Sequence, residues 1–284
     1  MKTIKTVLIA LFCIIVSTGC TQDNTKTKVE KQGWHLSMQS YTFHLFTVAE
    51  SLDKTEELGL RFIEIYPGQK MGEGFGDLVF GYDLSMRDQE RLRVLAASKR
   101  VKIISSGVWT AQREEWDSIF SFAKNMEMEF ISAEPAREDW EVVEELAKKH
   151  NIKVAVHNHP SENSYWSPEV LLGSIGGRDG LLGACVDVGH YKRMGLDPIS
   201  SIRQLKGKII ALHFKDIAPQ GKEQSLEDVV WGQGILDVKG MMKELKKQKF
   251  KGYFTIEYEA DWENNLPQIK QSIEYFNQVA EEIL

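Results

Sequence analysis

The sequence is poor in cysteine, in positive charge and in long apolar runs. It has three cysteines in 284 residues, and two of them, Cys13 and Cys20, lie near the N-terminus. Once that segment is removed, Cys185 has no partner, which excludes an internal disulfide in the mature chain. The net charge of −6 leaves no basic stripe to neutralise phosphates, so we expect no nucleic-acid partner.

The one unbroken apolar run near the N-terminus, residues 7–16, is too short to span a bilayer as a helix. It follows Lys2 and Lys5 and precedes small residues, which is typical of a secretory signal peptide. We predict that residues 1–20 are this signal and that the chain is exported. The mature protein is then either periplasmic or a membrane-anchored lipoprotein. Cys20 follows Thr-Gly and resembles the lipobox Cys of bacterial lipoproteins, which implies lipidation and a lipid anchor as the only membrane contact.

Two regions follow the predicted signal. Residues 21–31 are polar and lack apolar periodicity, which predicts a flexible tether. Residues 32–284 show no composition shift or low-complexity linker, which predicts one domain. In this domain strand-like runs alternate eight times with amphipathic stretches, and this pattern predicts a (β/α)8 TIM barrel, an α/β fold. The predicted strands are residues 35–39, 61–66, 101–106, 129–134, 152–157, 182–187, 208–213 and 252–257.

Four of the apolar runs end on residues of metal-binding type, namely Glu134, Asp187, His213 and Glu257. A charged or imidazole group at the end of a strand buried on both faces needs a partner. Because parallel barrel strands end at one mouth, we predict that the four share one divalent ion, Mn²⁺, Mg²⁺, Co²⁺ or Zn²⁺. For any one of them alone, an ordinary buried hydrogen bond is the alternative. The long connections 67–85 and 216–237 are predicted to be lids over this mouth.

The fourth and eighth strands are opposite on a ring of eight, so Glu134 and Glu257 are expected to face each other. A cation chelated by a sugar carbonyl and its neighbouring hydroxyl stabilises the enediolate formed when the adjacent C–H loses its proton. The two glutamates can then take and return that proton as general base and acid. This chemistry predicts a carbohydrate isomerase or epimerase. With a leaving group β to the carbanion, the same site performs elimination.

Five motifs, taken in order, resemble those of the xylose isomerase-like TIM-barrel superfamily and its sugar phosphate isomerase/epimerase branch. The resemblance implies metal ligation by Glu134, Asp187, His213 and Glu257, with Glu134 and Glu257 as the catalytic acid and base. It also implies that His190 contacts substrate or lies near the metal, and that Lys215 orients substrate oxygens. The motifs are Ser132-Ala133-Glu134-Pro135, Asp187-Val188-Gly189-His190, His213-Phe214-Lys215-Asp216, Gly232-Gln233-Gly234-Ile235-Leu236-Asp237 and Ile256-Glu257-Tyr258-Glu259.

Further residues near the predicted mouth have two interpretations each. His157 binds substrate or partners a metal ligand, or else makes a structural hydrogen bond, while His159 is expected to be structural. Glu64 binds substrate or belongs to a buried ion pair. Trp109 and Trp231 stack on a sugar ring or simply pack in loops. The glycines at 232 and 234 do not follow a strand as a phosphate loop requires, so they predict a tight turn.

The branch also includes enzymes that cleave 3-keto-glycosides by β-elimination and exported members with a lipoprotein signal. The small-molecule partner is therefore expected to be a neutral sugar or a keto-glycoside, since phosphorylated sugars are scarce outside the cytoplasm. A trinuclear nuclease of the apurinic-site type is disfavoured, because Ser105 and Ser106 stand where that pattern has a histidine. A non-catalytic sugar-binding lipoprotein remains an alternative, and the oligomeric state is left open.

Overall fold

The protein is described by a computed structural model for residues 27–219 and 227–284. Eight parallel strands form a barrel, and two short strands, β8 and β9, form an antiparallel ribbon after β7. In chain order the strands are β1 Trp34–Gln39, β2 Phe62–Ile65, β3 Lys102–Ser106, β4 Phe130–Ala133, β5 Lys153–His157, β6 Leu182–Asp187, β7 Ile209–Phe214, β8 Asp216–Ile217, β9 Asp228–Val229 and β10 Gly252–Ile256.

Helices follow the barrel strands and pack around them. Ser167 and Asp197 cap α6 and α8 and each precedes a proline at the first turn, where the missing N–H costs nothing. In chain order the helices are α1 Lys28–Gln32, α2 Val48–Glu57, α3 Met86–Ser98, α4 Trp116–Asn125, α5 Trp140–His150, α6 Pro168–Ile175, α7 Val188–Arg193, α8 Pro198–Gln204, α9 Val238–Lys247 and α10 Leu266–Ile283.

The barrel is a nearly closed ring. Its sheet has the order β3-β2-β1-β10-β7-β6-β5-β4, with all neighbours parallel. The seam between β3 and β4 is joined by a hydrogen bond from Glu129 N to Ile104 O (2.8 Å) and by an isolated bridge between Trp109 and Ala133. The predicted (β/α)8 TIM barrel is thereby confirmed.

Two apolar layers stabilise this arrangement. One lies between the sheet and the surrounding helices, and the other fills the inside of the ring with residues that include Phe130, Cys185 and Tyr253. Cys185 is the free, buried core residue that the sequence predicts. The side chains of this inner layer fill the interior, so the ring is a packed core rather than a channel.

The predicted tether and lids differ from the structure. Residues 28–31 are not a flexible tether but part of α1. This helix begins with a capping box between Thr27 and Glu30. An ion pair between Lys28 Nζ and Glu281 Oε2 (2.9 Å) joins it to α10. The signal and lipidation predictions for residues 1–20, Cys20 included, lie outside the described residues and stay predictions. No helix in the described ranges is long and apolar enough to cross a membrane.

The connection 67–85 is a packed hairpin rather than a lid. Gly68 N donates to Phe80 O and Phe80 N donates to Gln69 O, both at 2.8 Å, while Met71 and Phe80 are fully buried. Burial of these two side chains explains the difference, because lifting the loop would expose them to water. The second predicted lid contains the β8–β9 ribbon, and its residues 220–226 lie outside the described part of the chain.

Candidate metal centre and cleft

A cleft of about 630 Å³ opens at the carboxyl ends of the barrel strands. Parallel strands in this fold deliver their following residues to that end, so the lining comes from the segments after β1, β2, β3, β5, β6 and β10. The lining residues are Gln39, Tyr41, Tyr66, Pro67, Gly107, Val108, Trp109, Thr110, His159, Pro160, His190, Glu257 and Glu259.

A group of four buried side chains lies at the floor of this cleft: His157, Asp187, His213 and Glu257. Each offers one ligand atom, and these atoms all lie within 4.8 Å of one another. The strand register explains the proximity, because Asp187 on β6 pairs directly with His213 on β7, while His157 ends the adjoining β5. Three of the four predicted ligands are thus brought together, with His157 as the fourth member.

Glu134 lies in a neighbouring group with His157 and His159. Its Oε1 accepts hydrogen bonds from Nδ1 of His157 (3.2 Å) and from Nδ1 of His159. Burial by itself raises the pKa of Glu134, but these two imidazoles outweigh it and lower the pKa to about 2. The structure therefore does not place Glu134 within the four-residue group, and direct ligation by Glu134 stays a prediction.

The imidazole rings of His157 and His213 are oriented in the same way. One ring nitrogen contacts a carboxylate, and the other faces the four-residue group. His213 Nε2 lies 2.8 Å from Glu64 Oε1, and His157 Nδ1 lies 3.2 Å from Glu134 Oε1. A carboxylate beside one ring nitrogen orients the other nitrogen towards the group.

Burial lowers the pKa of both imidazole rings, but contacts with Asp187 and Glu134 raise the pKa of His157 to about 9. Cys185, Glu257 and Glu64 likewise raise the pKa of His213 well above its ordinary value. A bound cation would displace the second proton of each ring. His213 Nδ1 and His157 Nε2 are then available as ligand atoms.

Glu64 is a positioning residue for His213 and does not line the cleft. It is fully buried, and its carboxylate also accepts hydrogen bonds from Gln39 Nε2 (2.6 Å) and Ser132 Oγ (2.7 Å). Burial raises the pKa of Glu64, but the charge and hydrogen bond of His213 lower it below the ordinary value. Of the two interpretations of Glu64, the structure shows the buried pair with His213, and the substrate contact stays a prediction.

Asp187 divides its carboxylate between two tasks. Oδ1 accepts the main-chain N–H of His190 (2.7 Å) and so caps α7, a helix that the sequence analysis missed. Asn158 clamps the Asp187 main chain by donating to its carbonyl (3.0 Å) and accepting its N–H (2.8 Å). Oδ2 is thereby directed to the four-residue group.

Lys215 is an internal counter-ion. Its side chain is fully buried, and Nζ lies 3.0 Å from Asp187 Oδ2, 2.8 Å from Glu257 Oε2 and 3.0 Å from Glu259 Oε2. Burial lowers the pKa of Lys215, but these carboxylates raise it well above its ordinary value. Lys215 therefore stays charged and its ammonium group is occupied by carboxylates, so its contact with substrate oxygens stays a prediction.

His190 lines the cleft and is neutral. Burial lowers the pKa of His190 to about 2, and the positive charge of Lys215 acts in the same direction. Arg193 Nη1 donates to His190 Nδ1 (3.0 Å), which places the ring proton on Nε2. His190 is thus a neutral hydrogen-bond donor at the wall, consistent with its predicted role near substrate or metal.

The two predicted tryptophans have different locations. Trp109 borders the cleft, and its Nε1 donates to Ser106 Oγ (2.9 Å). Trp231 is fully buried and packs edge-on against Phe214 and Phe276, with ring centroids 5.1 Å and 6.1 Å away. The predicted sugar contact of Trp231 is therefore wrong, because its ring belongs to the layer between the barrel and α10.

The glycines at 232 and 234 form the predicted tight turn. Their main-chain N–H groups both donate to Asp216 Oδ2 at 2.9 Å. A Cβ on Gly234 would lie 2.2 Å from Asp216 Oδ1, so only glycine allows this approach. The turn holds a carboxylate of the chain and is not a phosphate loop.

Three residues near the site were not predicted to belong to it: His159, which was expected to be structural, and Asn158 and Glu259, which were not candidates. His159 lines the cleft and binds Glu134. The sequence contains a signal for it, since His159 comes two residues after the end of β5 and therefore lies at the same mouth as His157. Glu259 has the same spacing from Glu257.

The four-residue group fits a divalent cation. Among the described residues, His157 Nε2, Asp187 Oδ2 and His213 Nδ1 are buried and make no hydrogen bond of acceptable geometry. Charged neighbours lie beside two of these atoms, since Asp187 Oδ2 is 3.0 Å from Lys215 Nζ and His213 Nδ1 is 3.2 Å from Glu257 Oε2. A bound cation would take the place of these contacts. Two imidazole nitrogens and two carboxylates suit Zn²⁺, Mn²⁺ or Co²⁺.

The chain matches the family model described as xylose isomerase-like TIM barrel over residues 52–279, and it belongs to that family. Inosose dehydratase of Lactiplantibacillus plantarum is 23% identical over 186 residues, which cover 58% of this chain. The chain spans only 59% of the length of that curated relative.

Solved structures support the same fold. An uncharacterised protein of Parabacteroides distasonis ATCC 8503 is 36% identical with a TM-score of 0.72, and the match covers 87% of this chain and 99% of that one. The IOLI protein, solved with a bound zinc atom, is 17% identical with a TM-score of 0.65, and the match covers 88% of this chain and 99% of that one. The second likeness concerns the fold alone.

Proposed function

We propose that the protein is a divalent-metal-dependent carbohydrate isomerase or epimerase that moves a proton at the carbon next to a sugar carbonyl. The observation that carries this proposal is the convergence of three buried side chains of metal-binding type, His157, Asp187 and His213, beneath an open cleft that Glu257 lines. The ion would be held by these residues and Glu257, and the zinc atom of the IOLI protein supports a divalent ion.

A divalent ion at this site supplies Lewis-acid polarisation of a carbonyl, a contribution of several kcal/mol. The residues of the chain then determine where the proton goes. Glu257 borders the cleft and its Oε2 is held by Lys215 (2.8 Å), which keeps the carboxylate ionised and in one position. Burial raises the pKa of Glu257, but Lys215 and His213 lower it well below its ordinary value, so the carboxylate would accept a proton only from a C–H that a bound cation has made more acidic.

Glu134 is the second group that can exchange a proton with the substrate. Two imidazoles bind its Oε1, while no hydrogen bond within the described residues reaches Oε2. One oxygen is thus fixed and the other is available. His190, a neutral donor at the wall, can hold a substrate oxygen during the transfer.

We propose a non-phosphorylated substrate. No lysine or arginine is among the described residues that line the cleft. The two nearest cations have carboxylate partners, since Lys215 binds Asp187 and Glu257, and Arg193 Nη2 binds Asp228 Oδ1 at 2.7 Å. Within residues 27–219 and 227–284, a phosphate dianion in the cleft would therefore find no lysine or arginine in the lining to pair with.

Elimination is the second candidate, because the curated relative is a dehydratase. Half-exposed His159 stands beside Glu134 and offers a donor for a departing oxygen. A sugar ketone with a leaving group β to the abstracted proton, such as a 3-keto-glycoside, would then lose that group. Both candidates begin with the same proton abstraction.

Hydrogen exchange tests the shared step. The Mn²⁺-loaded protein should exchange the proton α to the carbonyl of ketoses or 3-keto-glucosides into D₂O, as followed by NMR, and the product separates isomerisation, epimerisation and elimination. Glu257→Gln should abolish exchange, whereas Glu263→Gln, an exposed residue six positions later, should not. Sugar affinity without exchange in wild type and variant alike would favour a non-catalytic binding protein.

A further inference from the structure

The cleft has a second wall that the proton chemistry does not use. Tyr41 follows β1, Tyr66 follows β2 and Trp109 follows β3, and all three residues line the cleft. The metal-type residues come instead from β5, β6, β7 and the segment after β10. We call Tyr41, Tyr66 and Trp109 the aromatic wall.

The two tyrosines of the aromatic wall are supported from behind. Their rings meet edge to face at a centroid distance of 5.3 Å, and Tyr41 stacks on His44 at 5.1 Å. His44 in turn meets Trp262 at 4.3 Å. Tyr41 is nevertheless 39% exposed, and no hydrogen bond of either phenol hydroxyl occurs within the described ranges. A supported but open ring is suited to stacking, because little conformational freedom is lost on binding.

Trp109 is tied to the reacting side of the cleft through the main chain. Its N–H donates to Ser132 O and its carbonyl accepts the N–H of Glu134, both at 2.9 Å. This contact needs glycine at 107, where a Cβ would lie only 2.4 Å from Ser132 O. The spacing between the aromatic wall and Glu134 is therefore fixed by the fold.

The cleft is large for a single sugar ring. Its volume of about 630 Å³ lies in the range of about 300–1,000 Å³ in which proteins hold drug-sized ligands. When the carbonyl of one sugar ring reaches the four-residue group, the space beside the aromatic wall remains free for a second ring. Flat rings with an apolar face are the ligands that such a wall recognises.

We infer, on the basis of the proposed function, that Tyr41, Tyr66 and Trp109 form a subsite for the second ring of a two-ring glycoside. The reacting sugar occupies the charged floor, and the ring attached to it stacks on the aromatic wall. That second ring is a pyranose or an aromatic aglycone, since both present a flat, apolar face.

Calorimetric titration of the Mn²⁺-loaded protein tests the subsite without requiring turnover. The probes are methyl β-D-glucoside as the one-ring ligand, cellobiose and maltose as two-sugar ligands, and p-nitrophenyl β-D-glucoside as the aryl ligand. We expect at least one two-ring probe to bind about tenfold or more tightly than the methyl glucoside, a difference of about 1.4 kcal/mol. Tighter binding of a disaccharide indicates a pyranose as the second ring, whereas tighter binding of the aryl glucoside indicates an aromatic aglycone.

The variants separate stacking from general damage. Tyr41→Ala and, independently, Tyr66→Ala should remove the preference for the two-ring probe and leave methyl glucoside affinity unchanged, while Tyr41→Phe retains the preference. Leu45→Ala is the matched control, because Leu45 is 56% exposed in the same segment and does not border the cleft.

Two results would overturn the subsite: no two-ring probe binds more tightly than the methyl glucoside, or the preference survives both alanine variants. If either result is found but the protein still exchanges the proton of one-ring ketoses, the subsite is wrong and the proposed function stands. A tenfold preference that depends on Tyr41, without exchange on any substrate, retains the subsite and removes the isomerase proposal.

Discussion

The two sides of the cleft are built in opposite ways. The charged floor consists of buried side chains on adjacent barrel strands, each held by a further group: Glu64 behind His213, Asn158 behind Asp187 and Lys215 beside Glu257. The aromatic wall consists of rings on the segments after β1, β2 and β3, of which Tyr41 is open to solvent, Tyr66 is half-buried and Trp109 is buried.

This difference assigns reactivity to one side and recognition to the other. Proton transfer and metal binding need atoms fixed within fractions of an ångström, which buried strand ends with second hydrogen-bond partners provide. Ring stacking tolerates small displacements and gains from exposed surface. Replacements on one side should therefore leave the function of the other side largely unchanged.

The largest expected effect is that of Glu257→Gln. Loss of the proton acceptor should lower kcat about 10²- to 10⁴-fold, the usual contribution of general acid–base catalysis. The affinity for the best two-ring probe should change little, because the aromatic wall is untouched. Steady-state kinetics and calorimetry check both quantities, with Glu263→Gln as control. A kcat above a tenth of the wild-type value would mean that Glu257 does not take the proton.

A smaller effect is expected for Glu64→Gln. The amide no longer offers His213 Nε2 a charged acceptor, so the imidazole is a weaker and less well-oriented ligand, and metal affinity should fall about 10- to 100-fold. Competition with a chelator measures this affinity. Ser132→Ala removes only one hydrogen bond to Glu64 (2.7 Å) and should have a smaller effect. Equal metal affinity in Glu64→Gln and wild type would contradict the arrangement.

The smallest effects come from a pair of tryptophan variants. Trp231→Phe should lower the free energy of unfolding by about 1 kcal/mol and leave ligand affinity unchanged, because its ring packs between Phe214 and Phe276. Trp109→Phe should weaken two-ring binding and change stability less. Urea unfolding and calorimetry distinguish them, and the reverse assignment of effects would show that the cleft is lined differently.

Much of the barrel was predictable from the sequence because strands buried on both faces produce continuous apolar runs. The predicted strand 182–187 coincides with β6. The short helices α1 and α7 were missed. Helices of five or six residues depend on capping and tertiary contacts rather than on apolar periodicity, and Asp187 both ends β6 and caps α7.

The sequence by itself determined the ring of strands and the end at which its polar residues emerge, because period-two alternation and apolar runs follow directly from residue order. Only the tertiary structure decided which of these residues meet. It joined His157 rather than Glu134 to Asp187, His213 and Glu257, placed Glu64 beneath His213 and buried Trp231. The reason is that side-chain rotamers and hydrogen-bond partners across a barrel depend on residues far apart in the chain, which no local pattern encodes.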